Sequence, residues 1–203
     1  MKSFNTTPVK AQPVRSFGAG GQAYIANIFS GFKVTAERIN PLFSIAENSG
    51  GDSSFLTNLQ EANRLGSTEN FAALQLGIRA VKYGDTAPTI QEIHDMKKLI
   101  ASAKVSITVG SNKTQVGEFS GFHFLNTVEA VSSDNHATAI AVSSCGSVNT
   151  NGGWVNLPTP ICLEPSVNIG GEVRFARNVP ASLIVASEEW AFVVILAGKR
   201  QTK

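Results

Sequence analysis

Charged side chains are scarce in this sequence: they make up 16% of its 203 residues, against roughly a quarter in an ordinary soluble domain. Ser, Thr and Asn supply much of the remaining polar surface. Long Lys and Glu side chains help monomers resist association, and the cores of interfaces are depleted in them. A surface poor in them tolerates close neighbours. Acid is missing from the start of the chain, where Lys2, Lys10, Arg15 and Lys33 all precede the first carboxylate, Glu37. The net charge of +2 is too small to argue, by charge alone, for a dedicated binder of nucleic acid or anionic membrane. The N-terminus reads as a sparse basic arm.

Cysteine is nearly absent too. Cys145 and Cys162 are the only two, and no Cys-x-x-Cys or Cys/His cluster accompanies them, which excludes a zinc site or a dithiol redox motif built on them. Two buried free thiols are expected. A disulfide stays open, because spacing does not establish the Cβ geometry such a bond needs. Long apolar runs are also missing: Ala181 to Gly198 is interrupted by Glu188 and Glu189, and the stretch from Trp190 to Ala197 falls far short of the roughly 20 residues a bilayer-crossing helix needs. No apolar core with a small-residue cleavage site follows Lys2, so no secretory signal is read. The expectation is a protein made and kept in soluble form.

Apolar residues amount to 42% of the chain, enough to offset the entropy of ordering a single domain of this length. Residues 1–21 combine Pro8, Pro13, Gly18, Gly20 and Gly21 with few large apolar groups and read as an extended arm; residues 22–203 read as one domain. Ala23 to Val34 is apolar and aromatic, with a period ambiguous between helix and strand. Residues 40–70, rich in Asn, Ser and Gly, read as a long loop. Leu74, Leu76, Ile78 and Ala80 then alternate with Gln75, Gly77, Arg79 and Val81, which places one apolar row on one face of a strand. One helix is clear: Thr89 and Glu92 form a capping box after Pro88, and Ile90, Ile93, Leu99 and Ile100 recur near helical spacing, predicting a helix over 90–101.

Short strands separated by turns follow. Val105, Ile107 and Val109 alternate, Gly110-Ser111-Asn112 turns, and Val116 to Leu125 carries Phe119, Phe122 and Phe124. Further strands are predicted at Thr138–Ser143, at Trp154–Leu157 after an Asn151-Gly152 turn, at Ile161–Leu163, Val167–Ile169, Glu172–Ala176, Ser182–Ala186 and Trp190–Ala197. About eight or nine strands with one helix and no βαβ alternation predict a mainly β fold, an antiparallel sandwich of jelly-roll type.

Catalytic chemistry finds little to stand on. Gly18-Ala19-Gly20-Gly21-Gln22-Ala23 matches a dinucleotide fingerprint only by spacing, since a Pro-broken polar segment precedes it where a strand is required. His123, flanked by Glu118 and Glu129, supplies one imidazole where a metal-binding sandwich commonly uses two, and a His among aromatics reads as a core or interface residue. Asp134 and His136 lie near Ser132, Ser133 and Ser143 without a nucleophile elbow, so they read as turn residues. Glu188 and Glu189 point to opposite faces of a strand and make no carboxylate pair. No catalytic, cofactor-binding or metal-ligating residue is therefore assigned, and the chain is read as a non-enzyme. Lys2, Lys10 and Arg15 remain as candidate contacts to phosphates or anionic headgroups, with Phe4 and Phe17 as candidate anchors into a neighbouring subunit.

With its strand count, its basic arm and its final apolar strand before Gly198-Lys199-Arg200, the sequence resembles the jelly-roll capsid proteins of small tailless icosahedral bacteriophages. The resemblance is one of architecture from about residue 71 onward and rests on no short motif. It implies a virion protein, synthesised in the host cytoplasm, whose sandwich tiles a shell with copies of itself and other virion proteins. Its arm would face the genome or an inner membrane, and there would be no small-molecule substrate. A different expectation is a phage spike or receptor-binding sandwich in which Trp154 or Trp190 stacks on sugar.

Overall fold

The structure is a computed structural model that describes residues 23–51, 53–83, 88–124, 154–165, 167–185 and 189–202. Its strands are β1 (Ala23–Lys33), β2 (Ile39–Leu42), β3 (Glu69–Tyr83), β4 (Ala103–Val109), β5 (Thr114–Ser120), β6 (Trp154–Leu163), β7 (Ile169–Phe175) and β8 (Glu189–Thr202). Two helices join them, the single-turn α1 (Ser53–Leu56) and α2 (Ile90–Ala101). One sheet has the order β1-β8-β3-β6 and the other β2-β7-β4-β5, and every pair is antiparallel. Among the described strands, successive ones lie in different sheets except for the β4–β5 hairpin. That double Greek key is the jelly-roll sandwich the strand pattern predicts.

β8 is central because it is apolar on both sides. Trp190, Phe192, Val194 and Leu196 face the space between the sheets, while Ala191 and Val193 pack outward beneath Leu56 of α1 and beside Phe29 and Ile195. A strand covered on both faces carries no polar alternation. The same double burial settles the ambiguous period of β1, which pairs with β8 along its whole length and turns Ile28 and Phe32 inward. Phe32 stacks on Phe192 at 5.4 Å between ring centroids, and Phe175 of the opposite sheet meets Phe192 edge-on at 5.6 Å. These rings tie the two layers together.

Several local expectations change. Leu74 is 39% exposed rather than aligned with Leu76 and Ile78, because the ladder shifts between Ala73 and Gln75; a bulge inserts one residue and reverses the parity of the faces. Phe71 and Ala73 face the core on one side of it, Leu76 and Ile78 on the other. The two short strands at Trp154–Leu157 and Ile161–Leu163 are one strand, β6, whose Pro158 and Pro160 fall where the β3 register is interrupted. Proline is tolerated there because β6 is an edge strand at a bulge. The strands expected at Val167–Ile169 and Glu172–Ala176 likewise merge into the single strand β7, Ile169–Phe175, with Val167, Asn168 and Ala176 outside it. Of the strand expected at Ser182–Ala186, Ser182 and Leu183 belong to a 3₁₀ turn, Ala181–Leu183, that follows Pro180, Ile184 and Val185 are irregular, and Ala186 lies outside the described residues. The strand expected over Val116–Leu125 ends at Ser120 and gives way to a 3₁₀ turn over Gly121–Phe124. The loop expected at 40–70 contains β2 and α1. The predicted strand Thr138–Ser143 and the Asn151-Gly152 turn lie outside the described residues.

The helix predicted over 90–101 has those bounds, and its capping box is formed, with the Glu92 N–H donating to Thr89 Oγ1 and the Thr89 N–H to Glu92 Oε2. The buried face differs from the one its isoleucines suggest: Glu92, Asp95, Met96 and Leu99 are covered, and Ile90 is exposed.

Candidate functional site

α2 crosses from one sheet to the other, and it carries the two buried carboxylates of the described residues, Glu92 and Asp95. At its N-terminal end Glu92 meets Lys82 of β3, Nζ to Oε1 at 2.9 Å, with the two side chains 3% and 5% exposed. One carboxylate thus serves the helix cap and a buried cation together. In the middle of the helix Asp95 accepts from Gln91 Nε2 at 2.8 Å and from Ser182 Oγ at 2.7 Å. The Gln91 amide, then the Ser182 hydroxyl, hold this carboxyl below its ordinary value against the opposing effect of burial, with Lys98 adding to them. The Asp95–Ser182 bond fastens the 3₁₀ turn of residues 181–183 to the helix.

Beyond the C-terminal end of α2 lies an open groove of about 770 Å³, flanked by Lys98, Lys104, Glu118, Phe122, His123 and Arg177. Glu118 bonds Lys104 at 2.9 Å, and that ammonium, chiefly by its hydrogen bond, lowers the Glu118 carboxyl from its ordinary value. His123 is exposed on the 3₁₀ turn rather than set in the core. Phe122 beside it is 68% exposed. The turn is packed closely at its first residue, since a Cβ on Gly121 would lie 1.7 Å from the carbonyl oxygen of Ile100. Glycine alone lets the chain pass the helix there.

The other candidates are dispersed. Glu189 is exposed and bonds Lys33 at 2.7 Å, while Glu188 lies outside the described residues. Glu129, Asp134, His136, Ser132, Ser133, Ser143 and Cys145 also lie outside them, as do Lys2, Phe4, Lys10, Arg15 and Phe17. Cys162 is a free thiol, and it is exposed on the edge strand β6 rather than buried as expected. Ala23, the last residue of the fingerprint-like segment, opens a strand, whereas the fingerprint requires a helix N-terminus there. Among the described residues no group of three or more His, Cys, Asp or Glu side chains is placed to hold a metal ion, and no helix is long and apolar enough to cross a membrane.

The two tryptophans differ. Trp190 is 5% exposed within the core and presents no ring face to a sugar. Trp154 lies over Gly77, where a Cβ would come within 2.7 Å of the ring, and the Arg79 guanidinium sits 5.4 Å from the ring centroid. That contact is a cation–π pair.

Apolar exposure is concentrated at strand ends and turns. Ile25 is 86% exposed and Tyr24 47%, both at the start of the edge strand β1. Farther along β1, Asn58 caps the strand by accepting from the Phe29 N–H and donating to the Asn27 carbonyl, and Thr57 donates to Phe29 O. The excursion carrying α1 therefore covers the second half of β1 and leaves Tyr24 and Ile25 outside. Ile39, on the edge strand β2, is 50% exposed. Sequence reasoning missed the Lys82–Glu92 pair, the Arg79–Trp154 stack and the uncovered start of β1. Only the i,i+3 relation of Thr89 and Glu92 gave a local signal.

Comparison of the chain with protein-family models, with curated proteins and with solved structures finds no match.

Proposed function

We propose that this chain is a structural virion protein, the major capsid protein of a small tailless icosahedral bacteriophage, which self-assembles into a shell around the phage genome. The observation that carries this reading is the pairing of a sandwich having its own full core with bare apolar side chains on its edges, Ile25 and Ile39 on strands and Phe122 on a turn. Ile25, 86% exposed on the edge strand β1, adds little to the subunit's own core and is placed where a neighbouring copy could cover it. In a closed symmetric assembly such contacts are repeated over every subunit, so individually weak ones add up. Few charged residues oppose that approach. In this reading the arm with Lys2, Lys10 and Arg15 turns toward the genome or an inner membrane, and the working partners are other copies and other virion proteins.

The test is the native mass of the purified full chain, by sedimentation and negative-stain microscopy. Uniform closed particles are expected. A stable trimer would instead indicate a spike, and a monomer at high concentration under all salt conditions would overturn the assembly reading.

A further inference from the structure

Among the described strands each sheet ends in two edges, β1 and β6 in one and β2 and β5 in the other. An edge with bare N–H and C=O groups is a template for a further strand, and native folds blunt it with proline, charge, a bulge or a covering loop. β2 carries Pro41, β6 carries Pro158 and Pro160, and β5 carries Glu118 and a register shift against β4. The second half of β1 is covered: Asn58 accepts from the Phe29 N–H at 2.9 Å and donates to Asn27 O at 2.8 Å, and Thr57 donates to Phe29 O at 3.2 Å. The first half, Ala-Tyr-Ile-Ala-Asn over residues 23–27, has no charge, no proline and no break in its register with β8. It is the edge without a blunting device.

Parity decides which backbone groups are bare. In an antiparallel strand the N–H and C=O of one residue point to the same side, and successive residues alternate. Asn27 and Phe29 meet Asn58 on the side away from β8, so Ala23 and Ile25 present their groups to that side, while Tyr24 and Ala26 face β8 opposite Arg200 and Gly198. The free ladder therefore runs over residues 23–27 and ends where Asn58 takes over. When an antiparallel strand of the same sequence uses this whole ladder, one register remains, centred on Ile25. Ile25 exchanges both bonds with Ile25 of the second copy, and each Asn27 N–H reaches the opposite Ala23 carbonyl. Tyr24 then lies across from Ala26, a large side chain against a small one, and no like charges are opposed. We infer that the β1 strands of two copies pair antiparallel through residues 23–27 about a two-fold axis at Ile25, which joins two four-stranded sheets into one. The Ile25 side chain, 86% exposed in the subunit, is covered by its counterpart. The inference rests on the shell reading in taking the partner to be a copy of this chain.

Disulfide trapping in the full chain tests the register, with Cys145 and Cys162 first replaced by serine. A hydrogen-bonded antiparallel pair holds its Cα atoms about 5.5 Å apart, within reach of a disulfide. Ile25→Cys is expected to give a covalent dimer under mild oxidation. Asn27→Cys is the control, because in this register the two Asn27 Cα atoms are more than about 13 Å apart, and it should stay uncoupled. Asn27→Pro, added to Ile25→Cys, keeps position 25 and removes an N–H that points away from β8, so the subunit loses no ladder bond of its own. It is expected to lower the yield of covalent dimer several-fold; Asn27→Gly with Ala26→Pro is not a substitute, since Ala26 faces β8. Should Asn27→Pro fail to fold, the contrast between Ile25→Cys and Asn27→Cys still decides the register. The pairing is overturned if Ile25→Cys remains monomeric on a non-reducing gel, if Asn27→Cys couples as readily, or if a folded Asn27→Pro variant couples as well as its parent. Closed particles without the Ile25 cross-link would leave the shell reading and overturn the pairing, and a cross-linked dimer that builds no particles would do the reverse.

Discussion

Lys82 and Glu92, 3% and 5% exposed, form an ion pair whose loss would strand a charge. Removing one partner of a buried pair typically costs about 3–5 kcal/mol, because the other is left desolvated and uncompensated. Lys82→Met is therefore expected to lower stability by about that amount in urea unfolding. Adding Glu92→Gln should restore part of it, since the buried carboxylate that lost its ammonium is then replaced by a neutral amide; a double variant no better than the single one would show that packing, not charge, is lost. Gly198 is a second sensitive residue. A Cβ there would lie 1.9 Å from the carbonyl oxygen of Ala72 and 2.9 Å from the Ala73 Cα, both backbone atoms of the neighbouring strand at the bulge. Gly198→Ala is expected to cost about 4 kcal/mol or more, in the range where single substitutions become exceptional, and a thermal melt close to that of wild type would contradict the register described. Neither residue is marked in the sequence, since the first pair depends on how β3 and α2 meet and the second on which strand β8 lies beside. Thr89 and Glu92 are legible because their relation is local.

At the scale of elements, α2 is the best-defined piece of the sequence and holds both the buried Lys82–Glu92 pair and the Asp95–Ser182 bond. Thr89→Ala removes the cap acceptor for the Glu92 N–H and is expected to cost on the order of 1 kcal/mol, read from the unfolding midpoint. Asp95 fastens the 3₁₀ turn of residues 181–183 to the helix, and its pKa lies below the ordinary 3.8. A carboxyl with a lowered folded pKa contributes stability that is complete above its unfolded value and is lost as pH falls through the folded one. The stability gap between wild type and Asp95→Asn should therefore stay level from neutrality to about pH 5 and shrink below about pH 4. A gap that widened on acidification would contradict the assignment. Legibility among the strands follows exposure. β4, with one face covered, shows its alternation in Val105 and Ile107, whereas β1 and β8, covered on both faces for much of their length, do not. The bulge misplaces Leu74, and edge prolines split β6 in the reading, because both features express pairing with another strand.

At the scale of the whole molecule, the class of fold is legible from the number of strands and the lack of βαβ alternation, but the order in which strands pair is not, since Greek-key neighbours are distant in the chain. The exposed apolar side chains are known only once that order is known. Ile25 belongs to an apolar run, Ala23 to Val34, whose period is ambiguous between helix and strand, and its position at the start of the edge strand β1 leaves it 86% exposed. Phe122, among three phenylalanines that read as one strand, is 68% exposed on a turn, while Phe124 is buried. If the chain builds a shell, these two positions are where contacts between copies are to be sought. Ile25→Lys and Phe122→Lys change only exposed side chains, so each should alter the stability of the isolated subunit by no more than about 0.5 kcal/mol. In an assembly each would place an unpaired ammonium in every repeated contact, and the penalty multiplies with the number of contacts. The expected outcome is an unchanged circular-dichroism melt with particle yield reduced at least about tenfold, a loss that corresponds to about 1.4 kcal/mol per assembly equilibrium. Sedimentation of each variant beside wild type at matched concentration and salt measures it. Normal particles from both variants would place Ile25 and Phe122 away from any contact between copies, and would remove the observation on which the shell reading rests.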